Sequence, residues 1–511
     1  MNLKPKNLYT LSNYFFWGMD MRTRSLCPEC LNVIDAEVVE ENAKVVIKKD
    51  CPEDGHFEDI YWGNAEFFKR VMSFDGYSAS VDSPHTSEER GCPYDCGLCP
   101  NHKSMTILAN IDVTNRCNQR CPICFANAAA QGYIYEPSKE QIFKMLENLR
   151  NQRPVPCPAI QFSGGEPTVR EDLPELIRYA EELDFPQIQI ATNGVRLAKE
   201  PELIRRLYDA GLCTIYLQFD GITEEPYIAA RGYNALPLKL KVIENLRMVG
   251  IPDSVVLVPT LVKGVNDSQI GDIIQYAADN IDIVRGVNVQ PVAFTGRIDK
   301  SELEEKRITI PDFVKLVEEQ TGGQISGADF YPVPSVNTIS HLLSLWKNAP
   351  VPLLSCHPAC GVATFVYIDK GRLVPVTRFI DFEGLLEMFD EISQEIANGG
   401  PLRKITAFEK FLKDILRIVD FQKMPKSSIM PKLLVNLFKH RNVDTLAAIF
   451  QHTLFLGSMH FQDLYNFDIN RVQKCVIHYA TPDGRVIPFC TYNTIHREEV
   501  ERRFAKIPMT H

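Results

Sequence analysis

The sequence predicts an α/β protein: a partial (β/α)6 barrel with a small metal-binding ribbon before it and a mixed, helix-rich region after it. Two patterns carry this expectation. Between residues 105 and 300, short apolar runs alternate with helical patterns, as in a parallel sheet wrapped by helices. On either side the alternation lapses, and closely spaced cysteines take its place.

In chain order, residues 1–75 form the ribbon module. Cys27-Pro28-Glu29-Cys30 is one knuckle; Cys51-Pro52, followed by Asp54-Gly55-His56, is patterned like the second knuckle of a zinc or rubredoxin-like ribbon. Residues 76–104 are a connector rich in Ser, Gly and Pro that holds Cys92, Cys96 and Cys99. In the core, residues 105–300, candidate strands span 105–113, 159–163, 187–191, 214–219, 254–261 and 286–292. Helical patterns between them include 139–151, 173–183 and 201–210, with Pro174 near a helix start, where a missing N–H costs little. Six such units predict an open barrel rather than a closed eight-fold one. Residues 301–511 are mixed, with a largely helical stretch over 401–456 that Pro425 and Pro431 should divide.

Composition narrows the function class. With 511 residues, 45% hydrophobic and 23% charged, the chain has length for about two to four domains and a large buried core. A formal net charge of −10 argues against a nucleic-acid partner, since such binders present a basic face. The apolar run at residues 14–17 is too short for a signal peptide, and no stretch approaches the roughly 18 apolar residues of a membrane span. The expected location is cytoplasmic, with contact at most at the inner face of the membrane. Fifteen cysteines in such a chain read as metal ligands rather than disulfides. Cys157 and Cys213 fall outside every group and read as small buried hydrophobes.

The motif Cys117-x3-Cys121-x2-Cys124 follows the first core strand. Three thiolates from one loop can hold three irons of a 4Fe–4S cube and leave the fourth open to a ligand. Gly164-Gly165-Glu166-Pro167 ends the second strand; glycines let backbone approach a ligand, and Glu166 can accept from an ammonium group. Thr192 and Asn193 end the third strand, Gln218 and Asp220 the fourth. All stand at the C-terminal ends of parallel strands, where barrel sites are built, and are the expected cofactor-binding residues. No catalytic side chain is assigned beyond the cysteine loop.

Three further cysteine groups stand apart. Cys92-x3-Cys96-x2-Cys99 repeats the spacing without a Gly-Gly-Glu-Pro partner and reads as an auxiliary cluster; His102 nearby reads as a solvated side chain. Cys356, Cys360, Cys475 and Cys490 read as a second, fully ligated cluster, with His357 beside it. Cys27, Cys30 and Cys51 supply three ligands of a tetrahedral zinc or iron site, with Asp54 or His56 as the fourth.

Together these motifs resemble the radical S-adenosylmethionine superfamily. The resemblance implies a radical-enzyme barrel, S-adenosylmethionine and a 4Fe–4S cluster on Cys117, Cys121 and Cys124 as cofactors, and a reducing electron donor as partner. Ile123 departs from the pattern, which usually places an aromatic residue before the third cysteine. The order of motifs, from Cys27-Pro28-Glu29-Cys30 through Gly91-Cys92-Pro93 and Arg116-Cys117 to Ser355-Cys356-His357-Pro358, is similar to that of archaeal tetraether lipid synthases, a group formerly described as pterin-modifying enzymes. This narrower resemblance implies joining of terminal methyl carbons of two isoprenoid diether lipid chains. It also implies a lipid substrate, contact with a membrane surface, and auxiliary clusters on the Cys92 triplet and the Cys356 quartet.

Residues 401–441 bear on the lipid reading. They carry ten Lys or Arg against three Asp or Glu, and Ile405, Phe408, Leu412, Ile415 and Val419 make one apolar helical face. A basic amphipathic helix suits anionic headgroups; the same pattern suits a helix packed on the barrel. The alternatives are radical methylation of a dihydropterin, peptide maturation, and a non-enzymatic iron–sulfur electron-transfer scaffold.

Overall fold

The computed structural model describes residues 20–76, 78–399, 403–425 and 453–508. The ribbon is an antiparallel meander of β1 (Asp20–Leu26), β2 (Val33–Glu41), β3 (Lys44–Cys51) and β4 (Gly55–Trp62). Burial along β2 alternates, with Ile34, Ala36 and Val38 inward, the period of a sheet with one covered face. Its cover is helix α1 (Ala65–Met72), whose Phe68 packs edge-on against Tyr61 and Trp62.

The six core strands expected from the alternation are all present: β5 (Leu108–Thr114), β6 (Ala159–Gly164), β7 (Gln187–Thr192), β8 (Thr214–Gln218), β9 (Val255–Val258) and β10 (Val284–Pro291). They pair in chain order and in parallel. Helices α2 (Lys139–Arg150), α3 (Leu173–Glu182), α4 (Val195–Lys199), α5 (Pro201–Asp209), α6 (Glu225–Arg231), α7 (Leu236–Val249) and α8 (Ile270–Asp279) fill the crossovers. Local signals start them: a Ser138–Gln141 capping box opens α2, and Pro174 lies in the first turn of α3. One apolar core joins strands and helices, for example Ile160, Ile190, Leu217 and Leu257 against Leu146, Ile177, Leu207 and Val242.

The parallel run does not stop at six. After β11 (Gly361–Asp369), the chain adds β12 (Thr453–Met459) in parallel beside β10 and β13 (Ile477–Ala480) in parallel beside β5. The barrel stays open, because antiparallel β11 lies beyond β12, and antiparallel β14 (Val486–Pro488) beyond β13. Residues 453–456, expected as the end of a helical stretch, are strand; a short apolar run has no period that separates the two.

The membrane-facing helix is a correction. In helix α10 (Arg403–Ile418), Ala407, Phe411, Ile415 and Ile418 are buried against Phe389, Ile392 and Ile396 of α9 (Phe382–Ala397). Lys410 pairs with Glu391 and Glu395, both at 2.9 Å, so the basic face is partly neutralised by the same neighbour. The side chains of Ile405, Phe408 and Leu412, residues 426–452 with Pro431, and the run at 14–17 lie outside the described residues. No helix among the described residues is long and apolar enough to cross a membrane.

Buried ions fasten the ribbon to the core. Arg307 donates to Asp463 at 2.7 Å and pairs with Asp59 of β4. Lys49 of β3 donates to Leu26 O at 2.9 Å and to Leu464 O at 2.6 Å.

Candidate active site

The loop after β5 brings Cys117, Cys121 and Cys124 to one wall of a cavity of about 270 Å³ at the C-terminal ends of the strands. Its shape is set from two sides. Cys124 and Arg297 exchange backbone hydrogen bonds at 2.9 and 2.8 Å, and Arg297 Nε donates to Cys121 O at 2.7 Å. Opposite, Gly165 N donates to Thr114 O at 2.7 Å, and Glu166 N to Arg116 O at 3.0 Å. This close approach explains both glycines. A Cβ on Gly164, at φ +127°, would lie 2.1 Å from Thr114 O, and one on Gly165 would lie 2.2 Å from Arg116 O.

Burial pushes the Cys117 thiol up to about 12 and raises Cys121. Ligation of these two sulfurs therefore works against their burial and must displace a proton from each. Three sulfurs opening on a cavity fit a 4Fe–4S cluster whose fourth iron faces a small ligand. Ile123, in the position of the usual aromatic, packs with Val262, Val292 and Phe294 and also lines the cavity.

Of the expected cofactor-binding residues, Gly164, Gly165, Glu166, Thr192, Asn193 and Gln218 line this cavity. Glu166 is buried, and most of its carboxylate is already engaged. Oε1 accepts from Thr192 Oγ1 at 2.7 Å and from the hydroxyl and amide of Thr168; Oε2 accepts from Asn193 N at 2.7 Å. A carboxylate has about four lone-pair sites, which leaves Oε2 one for an ammonium group. Asn193 Nδ2 donates to Asn118 Oδ1 at 2.7 Å and lies 3.9 Å from Cys117 Sγ.

Pro167 and Asp220 stand behind the lining of the cavity. Pro167 is buried at the start of the turn Pro167–Val169. Asp220 is fully buried and holds Arg231 in a two-point pair at 2.8 and 2.7 Å. That guanidinium keeps the Asp220 carboxyl below the usual carboxylate range against its burial. Arg231 itself lines the cavity, facing Cys121 and Cys124 and donating to Ile123 O at 3.0 Å. Sequence reasoning missed it, because its partners come from three separate segments. Lys239 was missed too; buried on α7, it donates to Asn193 O and to Gln218 Oε1, and burial lowers it to about 8.

The C-terminal region closes the cavity with Met459, Phe461, Tyr479 and Phe489. Buried Arg497 anchors this wall, bonding Asp112 of β5 at 2.6 Å and Glu501 at 2.9 Å, with its guanidinium 4.7 Å from the Tyr492 ring centroid. Cys490 lines the same cavity.

The quartet converges through the added strands. Cys356 and Cys360 enter β11, Cys475 precedes β13, and Cys490 follows β14. Cys356 faces Cys360 and Cys475, while Cys475 faces Cys490 and Cys360, all in a setting that raises Cys356 and Cys475 and pushes Cys490 up to about 11. His357 is buried beside them, with Nδ1 accepting from Ala359 N at 3.2 Å. The triplet Cys92, Cys96 and Cys99 is also buried, its loop gathered by Asp95, which accepts three backbone N–H bonds from residues 89–91 at 2.6–2.7 Å. His102 is buried rather than solvated: its Nε2 meets Cys475 O at 2.8 Å and His478 Nε2 at 3.1 Å. Cys157 is buried and Cys213 half-buried against the core.

In the ribbon, the ligand atoms of Cys27, Cys30, Cys51 and Asp54 all lie within 4.8 Å of one another. Cys30 and Cys51 sulfurs are 3.7 Å apart, close to the roughly 3.8 Å that Zn–S bonds of about 2.3 Å give in a tetrahedron. Asp54 Oδ2 accepts from Cys27 at 3.1 Å and from Cys51 at 3.3 Å. His56 stands apart, a correction: on the exposed side of the hairpin its Nδ1 meets Asp50 Oδ1 at 2.8 Å. Asp54→Ala is expected to lower the metal bound by the ribbon, and His56→Ala to leave it at wild-type level, as read by elemental analysis per chain. Equal loss in both variants would exclude this ligand set.

Comparison with known proteins follows the same lines. The Radical SAM superfamily profile matches residues 111–277, and the profile of the HMPTM N-terminal zinc ribbon domain matches residues 19–63. A Methanocaldococcus jannaschii protein, 7,8-dihydro-6-hydroxymethylpterin dimethyltransferase, is 55% identical over 495 residues, 96% of each chain. A Clostridium acetobutylicum GTP 3′,8-cyclase is 25% identical over 44% of this chain and 65% of its own. The solved structure of Streptococcus suis SuiB bound to S-adenosylmethionine is 18% identical over 43% of this chain and 48% of its own, with a TM-score of 0.35. The first of these relatives overturns the lipid-coupling expectation and its isoprenoid diether substrate, because its name describes methylation of a pterin. The order of cysteine motifs reports on metal centres; it carries no information on what fills the cavity between them.

Proposed function

The chain belongs to the radical S-adenosylmethionine superfamily, in the same family as the M. jannaschii relative, and on that basis we propose that it is a radical methyltransferase acting on a reduced 6-hydroxymethylpterin. The observation that carries the reading is identity of 55% along 96% of both chains with a protein of that activity. When bound, the 4Fe–4S cluster supplies the electron that splits S-adenosylmethionine into methionine and a 5′-deoxyadenosyl radical.

The chain's own residues orient and enclose. The open lone pair of Glu166 Oε2 is placed to accept from the methionine ammonium, and Arg231 offers positive charge beside the cysteine loop. The cavity is also lined by Asn288 and Gln290, whose amides suit the polar edge of a pterin, and by Asn110 and Gln161, which bond each other at 2.7 Å. The Oδ1 of Asn288 is buried and has no hydrogen-bond partner, a group whose cost a bound ligand would remove. Phe461 and Phe489, stacked with centroids 3.9 Å apart, wall this space from water.

The test is incubation of cluster-reconstituted protein with a low-potential reductant, methyl-labelled S-adenosylmethionine and 7,8-dihydro-6-hydroxymethylpterin. The pterin should gain methyl mass alongside 5′-deoxyadenosine; because the cleaved S-adenosylmethionine keeps its methyl on methionine, label in the pterin marks a second S-adenosylmethionine as the donor. Formation of 5′-deoxyadenosine at a rate the pterin does not change, with no methylated pterin by mass spectrometry, would rule out this substrate while leaving the radical chemistry intact.

A further inference from the structure

Five arginines among the described residues are buried: Arg170, Arg231, Arg307, Arg471 and Arg497. Four have carboxylate partners within 2.8 Å: Asp172 for Arg170, Asp220 for Arg231, Asp463 for Arg307 and Asp112 for Arg497. Arg471, at 2% exposed, forms no ion pair with a carboxylate among the described residues. Its Nη2 donates to His460 O at 2.8 Å, its guanidinium lies 5.5 Å from the Tyr61 ring centroid, and its Nε is buried with no acceptor. Tyr61 supplies no charge, since its hydroxyl is buried and donates to Asp468 at 2.8 Å. The groups able to become negative around Arg471 are the quartet's sulfurs: His460, whose carbonyl it bonds, donates its own N–H to Cys360 O at 3.1 Å, and Cys356, Cys360 and Cys490 lie within electrostatic reach of the guanidinium.

A buried guanidinium facing neutral thiols is an uncompensated charge, which folded proteins avoid. Ligation of metal removes the thiol protons and puts negative charge beside the Arg471 guanidinium, whose Nε is buried with no partner. We propose that Arg471 is the counter-charge built in for a metal centre on Cys356, Cys360, Cys475 and Cys490, and that it sets how readily that centre takes up an electron. The inference is independent of the pterin reading and rests on the quartet holding metal. Reduction adds one negative charge to the centre. A fixed cation in contact with it, away from water, favours the reduced state and raises the potential.

The experiment is an EPR-monitored redox titration of the full-length, iron-reconstituted protein, with the quartet's signal assigned by its loss in Cys356→Ala. Arg471→Met should lower the ratio of reduced to oxidised centre at fixed potential by about tenfold or more, a shift of about 59 mV for a one-electron couple. Arg471→Lys, which keeps the charge, should stay near wild type and guards against a misfolded Met variant. The signal that responds to added S-adenosylmethionine, from the Cys117 cluster, should not move in either variant. An unchanged midpoint in Arg471→Met at wild-type iron content, or equal shifts of every centre, would overturn the role of Arg471. Full iron content in Cys356→Ala would instead remove the quartet's metal.

Discussion

Replacing Cys117 with alanine is expected to reduce 5′-deoxyadenosine formation to background while leaving the fold in place. The loop that carries Cys117 is shaped chiefly by the Cys124–Arg297 bridge, Arg297 on Cys121 O, and the Gly164–Gly165 turn against Thr114 and Arg116. The Cys117 sulfur adds only long bonds from Gln119 N at 3.4 Å and Asn193 Nδ2 at 3.9 Å. Removing the sulfur therefore takes away one of three ligands and little packing. The check is chromatographic assay of 5′-deoxyadenosine after reconstitution, with circular dichroism to show that the fold is retained. Cys213→Ala, at a half-buried cysteine outside every cysteine group, should behave as wild type. Wild-type turnover in Cys117→Ala would sink the assignment of the cavity to radical chemistry.

The largest loss of stability is expected from Arg307→Ala. Its side chain is 1% exposed, between Asp463 at 0% and Asp59 at 8%, and its guanidinium lies 4.9 Å from the Phe294 ring centroid. Removing the cation leaves two carboxylates facing each other without water. Breaking a buried pair in this way costs about 3–5 kcal/mol. Because Asp59 belongs to the ribbon and Asp463 to the segment beside the cavity, the loss should loosen ribbon and core together. Urea denaturation reads it as an earlier midpoint. Lys241→Ala, which removes an exposed pair with Glu244, should change stability by no more than about 0.5 kcal/mol. A similar effect in the two variants would mean that the buried triad contributes nothing special.

Much of the barrel was legible because its signals are local. A parallel strand covered on both faces reads as an apolar run, and a helix as a 3.6-residue period, so all six core strands could be placed from the sequence. The helix starts at Ser138 and Pro174 follow from capping chemistry within a few residues. The two added parallel strands were not legible. β12 pairs with β10, and β13 with β5, across long stretches of chain, and a short apolar run does not name its partner.

The same division runs through the site. The spacing of Cys117, Cys121 and Cys124, with Gly164 and Gly165, marked out the candidate radical site, because one loop and one tight turn are set by neighbouring residues. Only the tertiary structure decided between Asp54 and His56, since both lie on the same hairpin and differ in the side to which they project. It also showed Asp220 supporting Arg231, and set Ala407, Phe411 and Ile415 of α10 against a neighbouring helix. An apolar stripe looks the same whether protein or lipid covers it, and a polar side chain shows its task only when its partners are in place. What the sequence determined was the chemistry that neighbours in the chain can hold; what required the fold was every contact made by residues far apart in it.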